Sequence, residues 1–197
     1  MQIQLWFEFG STYSYPAAMR FEAAVLARGH EAAWRPFLLG PIFKSQGWND
    51  SPFNIYPAKG RYMWRDLERI CEAQGLALVR PSRFPRNGLL ASRVCALFED
   101  EPWIGAFVRG VYSANFAEDL EISERGVVES VLLSVGQSPR LVEEAESDTA
   151  KAMLRARTEE AIALDIFGAP SFLVGGELFW GNDRLETALD WADRRPL

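Results

Sequence analysis

Apolar residues alternate with polar ones at the start of the chain, Ile3, Leu5, Phe7 and Phe9, which predicts a strand over residues 2–9 with one face buried. The period then lengthens. Met19, Phe21, Val25 and Leu26 fit one side of a helix over about 13–28, which Arg28 and Gly29 close with a basic last turn and a glycine stop. Where that helix starts is left open by Pro16: with Ser11 as the N-cap the proline would bend it, whereas a start near Ser14 puts the proline in the first turn. Ala32–Leu38 reads as a second strand, completing a strand-helix-strand unit and a parallel pair.

An irregular stretch, 40–57, follows and is rich in Gly, Pro, Asn, Ser and aromatics; a loop of this length in a compact protein is usually functional. Helical periodicity then dominates, over 59–73, 88–98, 103–116, 124–133 and a long 138–165 that opens on Ser138-Pro139. The β pattern returns after Phe167. Two short runs flank Gly175-Gly176, a hairpin signal, and a last helix after Asn182 or Asp183 carries Leu185, Ala188, Leu189 and Trp191. The order is βαβ, a helical segment, then ββα, with no internal repeat and no low-complexity tract.

With 197 residues the chain is long enough for one domain carrying a large insertion. A net charge of -6 argues against nucleic acid and against an anionic membrane as partners, because no general basic field is available. The absence of a leader pattern and of a long apolar run leads to the expectation of a soluble, cytoplasmic protein. Cys71 and Cys95 are the only cysteines and fit no metal or redox spacing, so they are expected to be buried structural thiols. His30 stands alone in a polar turn, which removes support for zinc chemistry and for a Ser-His-Asp triad.

Chemistry then concentrates between Phe7 and Pro16. A strand running through Gly10-Ser11 into a helix start offers free N–H groups and the positive end of a helix dipole, a setting for an anion. Ser11 and Ser14 have the spacing of a Cys-x-x-Cys motif with hydroxyls for thiols. From the local pattern alone, Ser11 reads equally as a helix N-cap. In the loop, Phe43, Trp48, Phe53 and Tyr56 are candidates for an aromatic pocket, and Asn49 and Asn54 for polar contacts.

Three segments carry a family resemblance that spans essentially the whole chain. Ser11-Thr12-Tyr13-Ser14-Tyr15 resembles the Ser-Pro-Tyr-Ser segment of the 2-hydroxychromene-2-carboxylate isomerases and kappa-class glutathione transferases, with Thr12 in place of the family proline. Gly168-Ala169-Pro170-Ser171-Phe172 is similar to their cis-proline segment, and Gly181-Asn182-Asp183-Arg184-Leu185 to their glutathione-binding turn. The resemblance implies an α/β, thioredoxin-like fold of the DsbA type, residues 1–39 and 166–197, with an all-helical insertion over 40–165 between the second and third strands. It implies glutathione as cofactor, with its sulfur near Ser11 as the catalytic hydroxyl. Ala169 and a cis Pro170 would pair with the glutathione backbone, Asp183 would take the γ-glutamyl ammonium with Asn182 assisting, and Lys59 would reach the glycine carboxylate. Plain helix-start roles for Asn182, Asp183 and Lys59 are the alternatives. A small-molecule substrate, an aromatic 2-oxo acid or an electrophile, and a homodimer are implied in the same way.

The energetics of such a site close without a histidine. Bringing a thiol from a pKa of about 8.5 to about 6.5 takes roughly 2.7 kcal/mol. A helix N-terminus supplies up to about 2 kcal/mol and a hydroxyl donating to a charged acceptor about 1.5–3 kcal/mol. Ser11 is therefore expected to donate to a thiolate and not to act as a nucleophile, since no base stands ready to activate it. A kappa-like transferase and a glutathione-binding module without turnover are the competing readings. A disulfide oxidoreductase is nearly excluded, because two hydroxyls cannot cycle through a disulfide.

Overall fold

The computed structural model describes residues 1–194; the last three positions of the segment expected to run from 166 to 197 lie outside them. The first strand, β1 (Gln2–Phe7), ends two residues before the alternation does. Helix α1 (Ser14–Ala27) follows, and β2 (Glu31–Pro36) lies parallel to β1, with Gln2 opposite Glu31 and Phe7 opposite Pro36. Starting α1 at Ser14 settles the proline question: Pro16 falls in the first turn, where its missing N–H costs no helical bond.

The hairpin forms as the paired glycines require. Gly175 and Gly176 both take positive φ, 56° and 89°, between β3 (Ser171–Val174) and β4 (Glu177–Trp180). β3 runs antiparallel to β1, pairing Leu5 with Phe172, so the mixed sheet has the order β2-β1-β3-β4. A short 3-10 turn (Asn182–Arg184) leads into α10 (Leu185–Asp193).

Between β2 and β3 lie α2 (Leu39–Ser45), α3 (Pro52–Ile55), α4 (Pro57–Gln74), α5 (Leu89–Leu97), α6 (Ile104–Phe116), α7 (Arg125–Ser134), α8 (Leu141–Ala145) and α9 (Asp148–Ala163). Two expectations are corrected here. The stretch 40–57 is not wholly irregular but holds the short helices α2 and α3, the second started by Ser51, whose hydroxyl accepts the Phe53 N–H, with Pro52 at the first position. The long helix over 138–165 is two helices, because Ser147 leaves the helical conformation and caps α9 by accepting the Ala150 N–H at 3.2 Å.

The sheet is covered on both faces. Ile3, Leu5 and Phe7, together with Phe9, are fully buried in a core that also holds Phe21 and Val25 of α1, Phe107 and Tyr112 of α6, and Leu185 and Leu189 of α10. Trp6 points the opposite way, as strand alternation demands, into a smaller cluster with Phe37, Ile42 of α2 and Ala161 of α9. The larger core contains residues of the sheet and of the intervening helices alike, so one continuous interior holds the ends of the strands in place. Among the described residues no helix is long and apolar enough to cross a membrane.

Candidate active site

At the end of β1 the chain turns through Glu8–Tyr13 before α1 begins, and this connection is tied down at nearly every residue. The Glu8 main-chain oxygen accepts the Ser11 N–H at 3.0 Å and the Tyr112 hydroxyl at 2.9 Å, while the Glu8 carboxyl accepts the Gly10 N–H at 3.0 Å. The Phe9 carbonyl accepts from Asn115 Nδ2 at 2.9 Å, and Asn115 Oδ1 in turn accepts from the buried Arg86 guanidinium at 3.2 Å. Thr12 is buried and its hydroxyl donates to Met63 Sδ of α4 at 2.9 Å, and the Tyr13 hydroxyl donates to Asp66 Oδ2 at 3.0 Å. Thr12 thus fixes by a buried side-chain contact a turn that a proline would fix through its ring.

Ser11 does not cap the helix. The residue at the cap position is Tyr13, which makes no side-chain cap bond, and the Ser11 hydroxyl instead donates across the cavity floor to the Ala169 carbonyl at 2.9 Å. That contact joins two segments 158 positions apart and lies at the start of a 14-residue helix. Among the described residues the Thr12 and Tyr13 N–H groups donate to no protein acceptor, so the turn before α1 carries unpaired backbone donors at the positive end of the helix.

The Ala169–Pro170 peptide is cis. Ser171 Oγ donates to the Gly168 carbonyl at 2.8 Å, and the Pro170 carbonyl accepts the Gly181 N–H at 2.9 Å, which ties the cis-proline segment to the 181–184 turn. A side chain at Gly168 would meet Trp180 Nε1 at 2.5 Å, which is why glycine stands beneath that indole. Asn182 is buried, with its carbonyl taken by Arg20 at 2.5 Å and its side-chain oxygen facing the same guanidinium at 3.4 Å; it braces the turn. Asp183 projects into solvent, 3.1 Å from the Arg184 guanidinium. Lys59, in the first turn of α4, lies 4.7 Å over the Tyr56 ring and is exposed.

These pieces surround one cavity of about 1450 Å³, whose lining includes Ser11, Lys59, Ala169, Pro170, Asn182 and Asp183. The six residues to which the resemblance gives a catalytic or glutathione-holding role therefore line one cavity. Phe43, Trp48, Asn49 and Phe53 of the 40–57 stretch also line it. Asn54 and Tyr56 are not among its lining residues: Asn54 donates to Asp50 and to the Phe84 carbonyl, and Tyr56 carries Lys59. Ser14 is buried beneath the helix start and does not line the cavity.

Three lining features were given no role by the sequence. Glu8 sits in the wall beside Gly10 and Pro85, and burial pushes its carboxyl up to about 7 against the pull of the Gly10 N–H. The segment Phe84–Arg86 contains a second cis proline, Pro85. Tyr13 has its phenol raised by burial and by its bond to the Asp66 carboxylate. Elsewhere, Cys71 and Cys95 are buried and free, with burial raising the Cys71 thiol to about 11, which leaves both unreactive. His30 pairs with Asp193 at 2.8 Å and takes no part in the cavity.

The chain matches the model of the DsbA-like thioredoxin domain over residues 2–191. It belongs to that family. It is 27 % identical over 187 residues to the 2-hydroxychromene-2-carboxylate isomerase of Sphingobium xenophagum, covering 93 % of this chain and 94 % of the relative. Glutathione S-transferase kappa 2 of Caenorhabditis elegans is 26 % identical over 210 residues, 96 % of this chain and 90 % of that one. Among solved structures, a 2-hydroxychromene-2-carboxylate isomerase superposes with a TM-score of 0.86 at 25 % identity, over 98 % of this chain and 95 % of that one.

Proposed function

We propose that this member of the DsbA-like thioredoxin family is a glutathione-dependent isomerase of the 2-hydroxychromene-2-carboxylate isomerase type. The observation that carries the proposal is the Ser11 hydroxyl held 2.9 Å from the carbonyl that precedes the cis proline, at the open N-terminus of α1. The relatives are named as isomerases and as a kappa-class transferase, which places enzymes on both sides of the reading.

The donor set fits glutathione. A tripeptide with a cationic end, an anionic end and a thiol calls for a carboxylate, an ammonium and a thiolate-stabilising donor; Asp183, Lys59 and Ser11 supply these around one cavity. The Ala169 backbone offers a strand-like edge for the peptide. A peptide N–H of bound glutathione would compete for the Ala169 carbonyl, which would free the Ser11 hydroxyl to donate toward sulfur. The Thr12 and Tyr13 N–H groups of the same turn have no protein acceptor among the described residues. Held by these residues, glutathione would supply a thiolate able to add reversibly to an unsaturated carbon of an aromatic 2-oxo acid, which would permit rotation about the resulting single bond. The cavity exceeds the common range for small-molecule sites, about 300–1,000 Å³, so it has room for a substrate against Phe43, Trp48 and Phe53 as well.

The test mixes the protein with glutathione and 2-hydroxychromene-2-carboxylate and follows the absorbance. Glutathione-dependent conversion is expected, reduced about 10- to 150-fold in Ser11→Ala, the equivalent of one hydrogen bond to a charged acceptor. A wild-type protein with no glutathione-dependent conversion sinks the proposal. The resemblance to the kappa-class relative favours a second reading, conjugation of electrophiles in the same site, and turnover of a chloro-nitroaromatic without isomerisation would select it.

A further inference from the structure

Glu8 lines the cavity with a carboxyl whose affinity for its proton is raised by burial, and neither the thiolate donor nor the glutathione-holding groups make use of it. It stands three residues before Ser11 and is held on both sides. Its main-chain oxygen takes the Ser11 N–H and the Tyr112 hydroxyl, and its carboxyl takes the Gly10 N–H. A side chain on Gly10 would meet Glu8 Oε2 and the Arg86 carbonyl at 3.1 Å each and Pro85 Cβ at 3.3 Å, so the carboxyl is wedged between the Ser11 turn and the Phe84–Arg86 segment.

Among the described residues no ion pair to its carboxyl is formed. Arg86 brings its main-chain carbonyl beside Gly10, but its guanidinium is taken by Asn115, Ser82 and Asp119. From α6 the facing group is Tyr112, a phenol whose own proton is held more tightly by burial and by the Glu8 charge. Across the cavity, α4 brings Lys59 and Asp66, the α2–α3 stretch brings Lys44 and Asp50, and the turn before α10 brings Asp183 with Arg184. These are near-balanced pairs of opposite sign, and the position of the Glu8 equilibrium is set by burial and the Gly10 N–H.

We propose that Glu8 is the proton-exchanging group of this cavity, giving a proton to, and taking it back from, the carbonyl oxygen of a substrate bound beside Ser11. The assignment rests on the isomerase reading above. As an electron pair from the substrate double bond arrives on that oxygen, the carboxyl O–H bond breaks, its pair stays on the carboxylate, and an O–H bond forms on the substrate. The return step reverses both transfers, so the carboxyl ends as it began and nothing is oxidised or reduced. A carboxyl poised near neutrality is matched to this task, since both of its forms are populated at the working pH. The division of labour is spatial as well. Ser11 faces the cis-proline segment through its bond to Ala169, and Glu8 lies on the side of the same turn that meets Pro85.

Two measurements test this. Difference infrared spectroscopy of the ligand-free protein, wild type against Glu8→Gln, should show one protonated carboxyl lost with a midpoint near pH 7, since Gln keeps the acceptor for the Gly10 N–H. A midpoint in the ordinary carboxylate range overturns the assignment whatever the protein turns over. In the pH profile of glutathione-dependent isomerisation the wild type should lose rate above neutrality, as the acid form of Glu8 is depleted. Glu8→Gln should lower the rate about 10²- to 10⁴-fold, flatten that limb and leave the thermal shift caused by glutathione unchanged. A Glu8→Gln enzyme with the wild-type rate and limb overturns the assignment. Should Gln prove poorly folded, Glu8→Asp is the second variant: it keeps a titrating carboxyl, so a limb that moves with the new midpoint supports the proposal and an unmoved limb overturns it. A wild type that glutathione neither stabilises nor activates overturns instead the isomerase reading, and with it the substrate named for this proton.

Discussion

The cavity has two unlike walls. One is made of turns at the strand ends, Gly10–Tyr13, Gly168–Pro170 and Gly181–Asp183, cross-linked by the Ser11 to Ala169 and Gly181 to Pro170 hydrogen bonds and set directly on the buried core. The other is made of α2, α3 and the start of α4, where Phe43 and Trp48 pack only half-buried against each other at 5.6 Å. Two side-chain contacts, Thr12 to Met63 and Tyr13 to Asp66, hold α4 to the first wall. The first wall fixes where a reacting group can stand. The second presents adaptable apolar surface, suited to selecting what is offered to it.

The sharpest way to break this contrast is to remove a ring from each wall's footing. Phe9 is fully buried under the Ser11 turn, 5.3 Å from the Phe7 ring and 5.1 Å from Tyr112. Phe9→Ala should cost about 3–5 kcal/mol in urea unfolding. Trp48→Ala should cost about 1 kcal/mol or less, because its ring is partly in water already. Similar losses from the two substitutions would show that both walls are equally part of the core.

A smaller effect distinguishes the walls by charge. The Glu8 carboxyl has its affinity for protons raised from 4.5 to about 7 on folding, so below 4.5 both folded and unfolded chains carry the proton and nothing is lost. Between these values the unfolded chain releases its proton while the folded one keeps it, and stability falls as pH rises. The loss is at most about 3 kcal/mol by pH 8, reduced by the solvent access of the carboxyl. Glu8→Gln should therefore raise the melting temperature relative to wild type at pH 8 and leave it nearly level at pH 4. An equal difference at both values would mean that the carboxyl titrates normally.

The two walls also differ in how well the sequence announces them. The strand alternation, the glycine pair and the three matched segments place Ser11, Ala169, Pro170 and Asp183 on one cavity, because these depend on local backbone chemistry that short motifs carry. Glu8 is invisible by the same logic. It sits between Phe7 and Phe9, where a polar residue reads as the solvent side of a strand, but β1 ends at Phe7 and the Phe84–Arg86 segment passes beside the turn, so Glu8 is half-buried. The helices α2 and α3 hide for another reason: seven and four residues are too few to show a period, and Gly, Pro and Asn in that stretch mask it. Ser147 could have marked the break in the last long helix, since a Ser-Asp pair inside a helical pattern is a start signal.

The least effect expected is on the charged ends of the glutathione site, and its ranking sharpens the contrast last. Asp183 belongs to the first wall: its turn is locked by the buried Asn182 and the Arg20 guanidinium, so its carboxylate is already positioned, although Arg184 competes for it at 3.1 Å. Asp183→Ala should weaken glutathione binding about tenfold, as befits one charge-assisted hydrogen bond at an exposed position. Lys59 belongs to the second wall and rests on the exposed Tyr56 ring. It stands at the positive end of an 18-residue helix, an unfavourable place for a cation that an incoming carboxylate relieves, but its long stem pays entropy and solvent screens the pair. Lys59→Ala should weaken binding only about two- to fivefold, and the difference from wild type should shrink further in high salt. Calorimetric titration of glutathione into both variants decides the order. A larger loss at Lys59 than at Asp183 would mean that the helical wall, and not the strand ends, anchors the ligand.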